Sequence, residues 1–211
     1  MPSSTEIERI LRLSPVMPVV TLEEAELAPD LAKAFVRGGI RVVEVTLRTP
    51  AALKAIEAIA RHVPEIAVGA GTVLSAEDLR SAASAGAKFA ISPGITPALL
   101  SAAASAPIPY MPAVATPSEL MLGLAAGYHC FKFFPAAPAG GITMLRAFCG
   151  PFPQAKFCPT GGVLQETAEY YLDVPNVLCV GGSWLSPVDA LAARDWQRIQ
   201  ALAAIAAASR T

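Results

Sequence analysis

RVVEVTLRTPAALKAIEAIARHV, at residues 41–63, places a short β-branched run directly before an alanine-rich amphipathic stretch. The run predicts a strand over Arg41–Thr46, because short valine-rich segments are typical of buried strands. Thr49 and Pro50 indicate an N-cap followed by a proline at the first helical position. The spacing therefore predicts a helix over Ala51–Val63. Together these residues make one strand–helix unit, the building block of a parallel sheet.

The same strand–helix pattern recurs along the rest of the chain. Strands are predicted at Val16–Val20, Arg41–Thr46, Ile66–Ala70, Phe89–Ser92, Tyr110–Val114, Cys130–Phe134, Lys156–Pro159 and Val177–Val180. Helical patterns lie between them at Glu24–Arg37, Ala51–Val63, Ala76–Ala85, Pro97–Ser105, Pro117–Ala126, Ile142–Cys149 and Gln165–Leu172. A short helix, Ser4–Leu13, precedes the first strand, and a longer one, about Asp195–Ser209, closes the chain.

The number of units points to a closed sheet. Eight units in 211 residues leave about 26 residues per unit, close to the lower size limit of an eightfold barrel. Gly69-Ala70-Gly71 is followed by Leu74 where G-x-G-x-x-G requires a third glycine, which disfavours an open dinucleotide-binding sheet. The sequence therefore predicts an α/β protein with one domain over residues 1–211. Its expected fold is a single (β/α)8 TIM barrel with an N-terminal helix preceding the first strand.

Local capping residues mark several of the predicted helix ends. Thr96-Pro97 and Thr116-Pro117 each indicate an N-cap followed by proline. Ser75 is followed three residues later by Asp78, a variant of the capping box. Gly38-Gly39 is typical of a helix C-terminus.

Composition and charge exclude several classes of function. Hydrophobic residues make up 54% and charged residues 16% of the chain, which excludes intrinsic disorder. A net charge of −1 provides no basic excess, so no nucleic-acid partner is expected. No membrane span is expected, because prolines interrupt the apolar stretch from Ile91 to Val114 and the run Ala201–Ala208 is too short.

The cysteines favour a cytoplasmic protein. Cys130, Cys149, Cys158 and Cys179 form no C-x-x-C pair, and the chain has only two histidines. No metal site is therefore expected, and reduced, buried thiols are the expectation for a cytoplasmic chain. Charged residues near the N-terminus, where a signal peptide would be apolar, favour the same location.

A lysine interrupts the otherwise apolar strand Cys130–Phe134. Strand alternation places Lys132 and Phe134 on one face, and Phe131 and Phe133 on the other. Both faces of a barrel strand are buried, and a lysine is almost never fully buried without a partner. A functional Lys132 inside the barrel is therefore favoured over one that points outward between helices. An amine removed from water is favoured in its neutral, nucleophilic form.

Two further charged residues belong to the strand Arg41–Thr46 and the turn after it. Glu44 lies mid-strand, where a structural ion pair with Lys132 and a proton shuttle are both possible and overlap. Arg48 follows the strand end, at the expected rim of the active site. Its guanidinium fork suits a substrate carboxylate, and a solvated loop arginine is the alternative.

Paired glycines follow the last two predicted strands. Gly161-Gly162 comes after the seventh strand, and Gly181-Gly182-Ser183 after the eighth. Barrels often bind phosphate in the loops after these two strands, where glycines let backbone N–H groups approach the oxygens. One pair alone is usually a turn, but two pairs at these loops favour a phosphate site.

Six motifs occur in order along the chain: EVTLRT (44–49), GAGTVL (69–74), ISPG (91–94), FKFFP (131–135), FCPTGG (157–162) and GGSW (181–184). Together they resemble the bacterial 2-keto-3-deoxy-6-phosphogluconate (KDPG) aldolases, also called 4-hydroxy-2-oxoglutarate (KHG) aldolases. The resemblance spans nearly the whole chain, and the set of motifs is highly specific. It implies a class I aldolase on an eightfold barrel, usually a homotrimer, with a small-molecule substrate and no metal or organic cofactor.

The resemblance also implies a role for each matching residue. Lys132 corresponds to the lysine that forms the Schiff base, Glu44 to the general acid/base, and Arg48 to the arginine that holds the pyruvate carboxylate. Further substrate contacts fall on Thr72, Pro93 and Phe134 at the pyruvate end, Thr160 at the aldehyde half, and Gly161, Gly162, Gly182 and Ser183 at the phosphate. The threonine at position 160 favours the gluconate over the galactonate substrate. Ala113 and the loop Ala136–Gly140 depart from the common pattern, which leaves trimer contacts and the substrate rim in doubt.

The predicted reaction is cleavage of KDPG to pyruvate and glyceraldehyde 3-phosphate, with activity on KHG as well. One alternative is a phosphate-binding TIM-barrel isomerase or epimerase that uses Glu44 as base without a covalent intermediate. Another is a catalytically inactive barrel retained as an assembly or binding module. A covalent adduct with pyruvate distinguishes the aldolase from the first, and the intact Lys132, Glu44 and Arg48 disfavour the second.

Overall fold

The computed structural model describes residues 4–209. Its strands are β1 Val16–Val20, β2 Val42–Thr46, β3 Ala67–Gly71, β4 Ala90–Ile91, β5 Tyr110–Met111, β6 Ala113–Val114, β7 Cys130–Phe133, β8 Lys156–Pro159 and β9 Val180–Gly182. Its α-helices are α1 Ser4–Leu11, α2 Ala28–Arg37, α3 Ala52–His62, α4 Ala76–Ser84, α5 Pro97–Ala104, α6 Pro117–Ala125, α7 Gly141–Cys149, α8 Ala168–Leu172, α9 Val188–Ala192 and α10 Trp196–Ala207. Short 3₁₀ turns, Ala25–Leu27 and Gln165–Thr167, precede α2 and α8. The predicted domain includes residues 1–3 and 210–211, which lie outside the described range.

The strands form two sheets in which every pair is parallel. One sheet has the order β5-β4-β3-β2-β1-β9, and the other has the order β6-β7-β8. β5 and β6 are separated by Pro112, so the segment 110–114 pairs with β4 on one side and β7 on the other. Isolated bridges Phe157↔Val177 and Thr160↔Gly181 join β8 to the segment that contains β9. The chain is therefore an α/β fold with a curled parallel sheet.

A buried apolar cluster closes the amino-terminal end of the curl. Met17, Val42 and Cys130, at or near the starts of their strands, share this cluster with Ile10 and Leu11 of α1. The predicted N-terminal helix thus covers that end of the sheet. The larger core lies between the strands and the surrounding helices. Beyond this cluster, toward the carboxyl ends of the strands, lie the buried polar side chains Glu44, Thr46 and Lys132.

Most predicted elements are confirmed, and the differences follow from local chemistry. Val16–Val20 and Lys156–Pro159 have the predicted bounds. The predicted strand Tyr110–Val114 is interrupted, because Pro112 has no N–H to donate to a ladder. The last strand lies at Val180–Gly182, later than predicted, and only the bridge at Val177 represents its predicted start. Helix α9 was not predicted.

The predicted N-caps divide into three that are confirmed and one that is wrong. Thr96, Thr116 and Ser75 each accept a hydrogen bond from the third residue of their helix, as capping requires. Thr49 does not cap α3, which begins at Ala52. Its hydroxyl donates instead to the carbonyl of Leu22, so a long-range contact takes the place of the local cap.

No helix within residues 4–209 combines the length and the apolar character needed to cross a bilayer.

Candidate active site

A lysine and a glutamate from opposite parts of the curled sheet meet in its interior. Lys132 of β7 donates from Nζ to Oε1 of Glu44 on β2 at 2.8 Å and to Oε2 at 3.1 Å. The Glu44 side chain is fully buried, and the Lys132 side chain is 6% exposed. Each lies two residues beyond a member of the apolar cluster, Val42 or Cys130, on the same strand face. The pair therefore sits directly above that cluster, with amine and carboxylate at proton-transfer distance.

The glycine-rich sequence of β3 makes room for the carboxylate. β2 pairs with β3 in a register that places Thr46 opposite Gly71. A Cβ at Gly71 would lie 2.6 Å from Cγ and Cδ of Glu44, and closer still to Oε1. Only a residue without a side chain fits beside Glu44 at this position.

Arg48 and Thr72 lie together at the ends of β2 and β3. Arg48 is exposed, and its Nε donates to Oγ1 of Thr72 at 3.2 Å. The backbone of Thr72 is left-handed, with φ of 58°, which turns the chain away from β3. The bond uses one N–H of the guanidinium, which carries four more in a planar fork. The fork suits a substrate carboxylate.

Arg48 and Lys132 open on a cavity at the carboxyl ends of the strands, with a volume of about 160 Å³. It is lined by Val19, Thr21, Arg48, Lys132, Phe134, Thr160, Gly161, Gly162, Val163, Gly181 and Ser183. Lys132 Nζ lies 5.4 Å from the centroid of the Phe134 ring. The cavity joins residues within β1, β7 and β9 to residues just after β2 and β8, as expected for a site on the carboxyl edge of a parallel sheet.

The loop after β8 needs its glycines for their backbone conformation. Gly161 and Gly162 have φ of 93° and 76°, in the left-handed region. Ala136 and Ala137 donate their backbone N–H groups to Thr160 and Gly161, which holds the loop against the segment after β7. A Cβ at Gly162 would lie 2.6 Å from Cβ of Ala137. The loop is therefore a fixed glycine turn at the mouth of the cavity.

The structure brings most, but not all, of the predicted site residues to the cavity wall. Glu44 lies behind Lys132, and Thr72 reaches the site through Arg48. Pro93 is partly buried and does not line the cavity, and Gly182 is buried against the ring of Trp184 while its neighbours line the wall.

Sequence reasoning missed Thr21, Val19 and Val163. Thr21 is the polar residue that directly follows the predicted strand Val16–Val20, and this position was a signal that it could lie at the site.

The surroundings of Cys130 make its thiol unreactive. Burial raises the pKa of Cys130 to about 12, so this thiol is protonated at neutral pH and is no nucleophile. Within residues 4–209, no three or more His, Cys, Asp and Glu side chains are grouped closely enough to hold a metal ion. The amine of Lys132 and the carboxylate of Glu44 lie at a distance that allows proton transfer between them.

A buried amine beside a carboxylate, at the carboxyl edge of a parallel sheet, is typical of enzymes that form a Schiff base with a carbonyl substrate. A model of the KDPG and KHG aldolase family matches residues 7–202, and the chain belongs to this family.

The similarity to known relatives extends over nearly the whole length of both chains. The KHG/KDPG aldolase of Escherichia coli K12 is 53% identical over 94% of this chain and 93% of its own. KDPG aldolase from Legionella pneumophila, crystallised with pyruvate captured at low pH as a covalent carbinolamine intermediate, is 50% identical, with a TM-score of 0.93 over 95% of this chain and 98% of its own. The Zymomonas mobilis ZM4 enzyme, crystallised with 3-phosphoglycerate, is 44% identical, with a TM-score of 0.94 over 99% of this chain and 98% of its own.

Proposed function

We propose that this chain is a class I aldolase that cleaves KDPG to pyruvate and glyceraldehyde 3-phosphate and also acts on KHG. The observation that carries the proposal is the buried Lys132 amine, 2.8 Å from Glu44, in a cavity that also holds Arg48 and the glycine loop. The names of the family and of its relatives support the substrate class. No metal or organic cofactor is part of this proposal.

Lys132 and Glu44 perform the covalent chemistry. Neutral Lys132 Nζ attacks the C2 carbonyl of the keto acid, after its proton has passed to Glu44. Glu44 then returns a proton so that the carbinolamine loses water, and the resulting iminium withdraws electrons from C3. Glu44 takes the proton of the C4 hydroxyl as the C3–C4 bond breaks, and the aldehyde leaves. Protonation of the enamine at C3 and hydrolysis release pyruvate and free Lys132.

The remaining residues hold the substrate at its two ends. At the pyruvate end, Arg48, fixed by Thr72, pairs with the carboxylate, and Phe134 and Pro93 flank it. Pro93 lies two residues after β4, at the carboxyl edge of the sheet, which supports this placement although it does not line the cavity. Further out, Thr160 contacts the aldehyde half, and Gly161, Gly162, Gly182 and Ser183 bind the phosphate. Gly182 contributes its backbone, because its neighbours Gly181 and Ser183 both line the cavity.

Covalent chemistry is favoured over an isomerase or epimerase that uses Glu44 as its base. Both mechanisms need the carboxylate, but only the aldolase needs an amine within reach of the substrate carbonyl. The Lys132 side chain ends inside the cavity, and a relative 50% identical to this chain was captured with pyruvate as a carbinolamine. Electrostatic stabilisation by a distant lysine would not require the amine to line the cavity.

Reductive trapping tests the proposal directly. Borohydride added in the presence of pyruvate should attach a three-carbon acid to Lys132, detected by peptide mass mapping. Peptides that carry the exposed Lys54 and Lys88 serve as internal controls and should stay unmodified. Label on these lysines, or none on Lys132, contradicts the aldolase mechanism. Lys132→Met should abolish both the label and KDPG cleavage.

We further propose that residues 1–211 form one domain and that its sheet closes into an eight-stranded TIM barrel. The isolated bridges between β8 and the β9 segment, and the segment 110–114 shared by both sheets, support closure. Amide hydrogen exchange should then show strong protection at Leu178, whose N–H donates to the carbonyl of Phe157 at the seam. Rapid exchange there, with β2 protected, contradicts a closed barrel.

We also propose that the chain forms a homotrimer in the cytoplasm. Exposed large apolar side chains such as Leu74 and Met121 support self-association, because an interface between copies would remove them from water. The free thiols Cys130, Cys149 and Cys158 support a reducing compartment. Sedimentation equilibrium should give three times the mass of the chain, and a monomer at micromolar concentration contradicts the trimer.

A further inference from the structure

A threonine that no assigned role explains stands at the wall of the active-site cavity. Thr21 follows β1 directly, is exposed, and lines the cavity with Arg48, Lys132 and Ser183. β1 lies between β2, which carries Glu44, and β9, which leads to Ser183. Thr21 is therefore placed between the groups that break the C3–C4 bond and the groups that hold the phosphate.

The hydrogen bonds of Thr21 determine what it can offer a substrate. Its Oγ1 lies 2.8 Å from Oγ1 of the buried Thr46, and Thr46 Oγ1 donates to the carbonyl of Val20 at 3.2 Å. A hydroxyl has one proton and a carbonyl has none, so both bonds exist together only when Thr21 donates to Thr46. The oxygen of Thr21 then presents only lone pairs to the cavity. It can accept a hydrogen bond from a substrate but cannot donate one.

We propose that Thr21 is a specificity-determining residue that accepts a hydrogen bond from the C5 hydroxyl of the substrate; the proposal rests on the function proposed above. In KDPG, C5 lies between C4, where the bond breaks, and C6, which carries the phosphate, and this matches the position of Thr21. KHG has a carboxylate at C5, which has no proton to donate at neutral pH. Thr21 therefore favours the phosphorylated sugar acid over KHG.

The reverse reaction provides a clean test, because the C5 hydroxyl comes from the aldehyde. Condensation of pyruvate is measured with D-glyceraldehyde 3-phosphate and with 3-oxopropyl phosphate, the same aldehyde without the C2 hydroxyl. Thr21→Val, which keeps the shape, should lower kcat/KM for glyceraldehyde 3-phosphate by roughly 3- to 10-fold, the range expected for one net hydrogen bond. It should leave kcat/KM for 3-oxopropyl phosphate unchanged. Thr21→Ser, which keeps the hydroxyl, should retain the wild-type ratio between the two aldehydes.

Each result distinguishes this proposal from a structural role. Equal losses of kcat/KM on both aldehydes would mean that Thr21 acts by holding Thr46, and would overturn the assignment. So would a Thr21→Val enzyme with the wild-type ratio of the two values. The wild-type enzyme provides a second measurement that needs no variant, because it must prefer glyceraldehyde 3-phosphate over 3-oxopropyl phosphate. A wild-type enzyme that condenses pyruvate with neither aldehyde overturns the proposed function itself, whereas a normal wild-type rate with an unchanged ratio overturns only the role of Thr21.

Discussion

Replacement of Gly71 by alanine should slow the enzyme by displacing Glu44, although no reactive group is itself replaced. The added Cβ would lie 2.6 Å from Cγ and Cδ of Glu44, whereas ordinary contacts between carbon atoms begin at about 3.5 Å. Glu44 must therefore move by roughly 1 Å, and its side chain is fully buried, so the shift must displace neighbouring groups or change its rotamer. The 2.8 Å bond from Lys132 to Oε1 cannot survive this shift.

The expected loss of kcat follows from the role of the Glu44 carboxylate in proton transfer. A misplacement of about 1 Å typically costs on the order of 10²-fold in rate. We expect kcat for KDPG cleavage to fall by about that factor, measured as pyruvate release in a coupled lactate dehydrogenase assay. Overpacking should also cost about 1–3 kcal/mol in the free energy of unfolding, measured by urea denaturation.

Gly69→Ala is the matched control, because it overpacks the same strand at a different neighbour. A Cβ at Gly69 would overlap the ring of Phe89, in the apolar cluster below the reactive pair. Gly69→Ala should lose similar stability and much less kcat. If both variants lose kcat equally, general strain in β3 explains the effect. A Gly71→Ala enzyme with normal kcat would refute the view that the position of Glu44 limits the reaction.

The other predictions concern proton transfer, the phosphate loop and a helix cap. Glu44→Gln keeps the shape of the side chain but cannot carry a proton, so kcat should fall about 10²–10⁴-fold with similar substrate affinity. If circular dichroism shows that the variant does not fold, Glu44 is chiefly the counter-ion of Lys132. Gly162→Val, at φ of 76°, should raise KM for KDPG far more than for KHG, and equal increases would show that the loop supports only the fold. Thr116→Ala removes the cap of α6 and should lower the free energy of unfolding by about 1 kcal/mol, which lowers Tm by roughly 2–4 °C. The kcat at 25 °C should be unchanged. An unchanged Tm would show that Glu119 alone satisfies this helix end.

The alternation of strands and helices was predictable because each element carries its own periodicity. Valine-rich runs such as Val42–Thr46 lie buried, and the Ser75, Thr96 and Thr116 caps begin helices where the sequence indicates. Thr49 shows the limit of this reasoning. Its local sequence resembles that of Thr96, because both threonines precede a proline. The Thr49 hydroxyl, however, donates to the carbonyl of Leu22, a residue 27 positions away, and the local sequence does not predict this partner.

The reactive pair was predictable for a different reason. A charged residue inside an apolar strand is costly unless it has a partner, so Lys132 and Glu44 stand out in the sequence, and strand parity fixes the face of each. The position of Thr21 directly after a predicted strand is a weaker signal, because a threonine after a strand is common at any sheet edge. Its role depends on Thr46 and Val20, and on the donor direction that these contacts impose, which only the folded arrangement provides.

The sequence of strand β3 conflicts with local strand preference at a place where the active site requires it. Its sequence, AVGAG, is poor for a strand, because glycine loses more backbone freedom on folding and offers no side chain to pack. In the sequence, these glycines fail to complete a dinucleotide-binding motif and form part of the GAGTVL motif of the aldolase resemblance. In the structure, the absence of a Cβ at Gly69 and Gly71 admits the Phe89 ring and the Glu44 carboxylate. A local preference that conflicts with the element it occupies is expected where function imposes a close approach. The glycines of β3 are therefore as informative about the active site as its charged residues, since they create the space in which the carboxylate meets the amine.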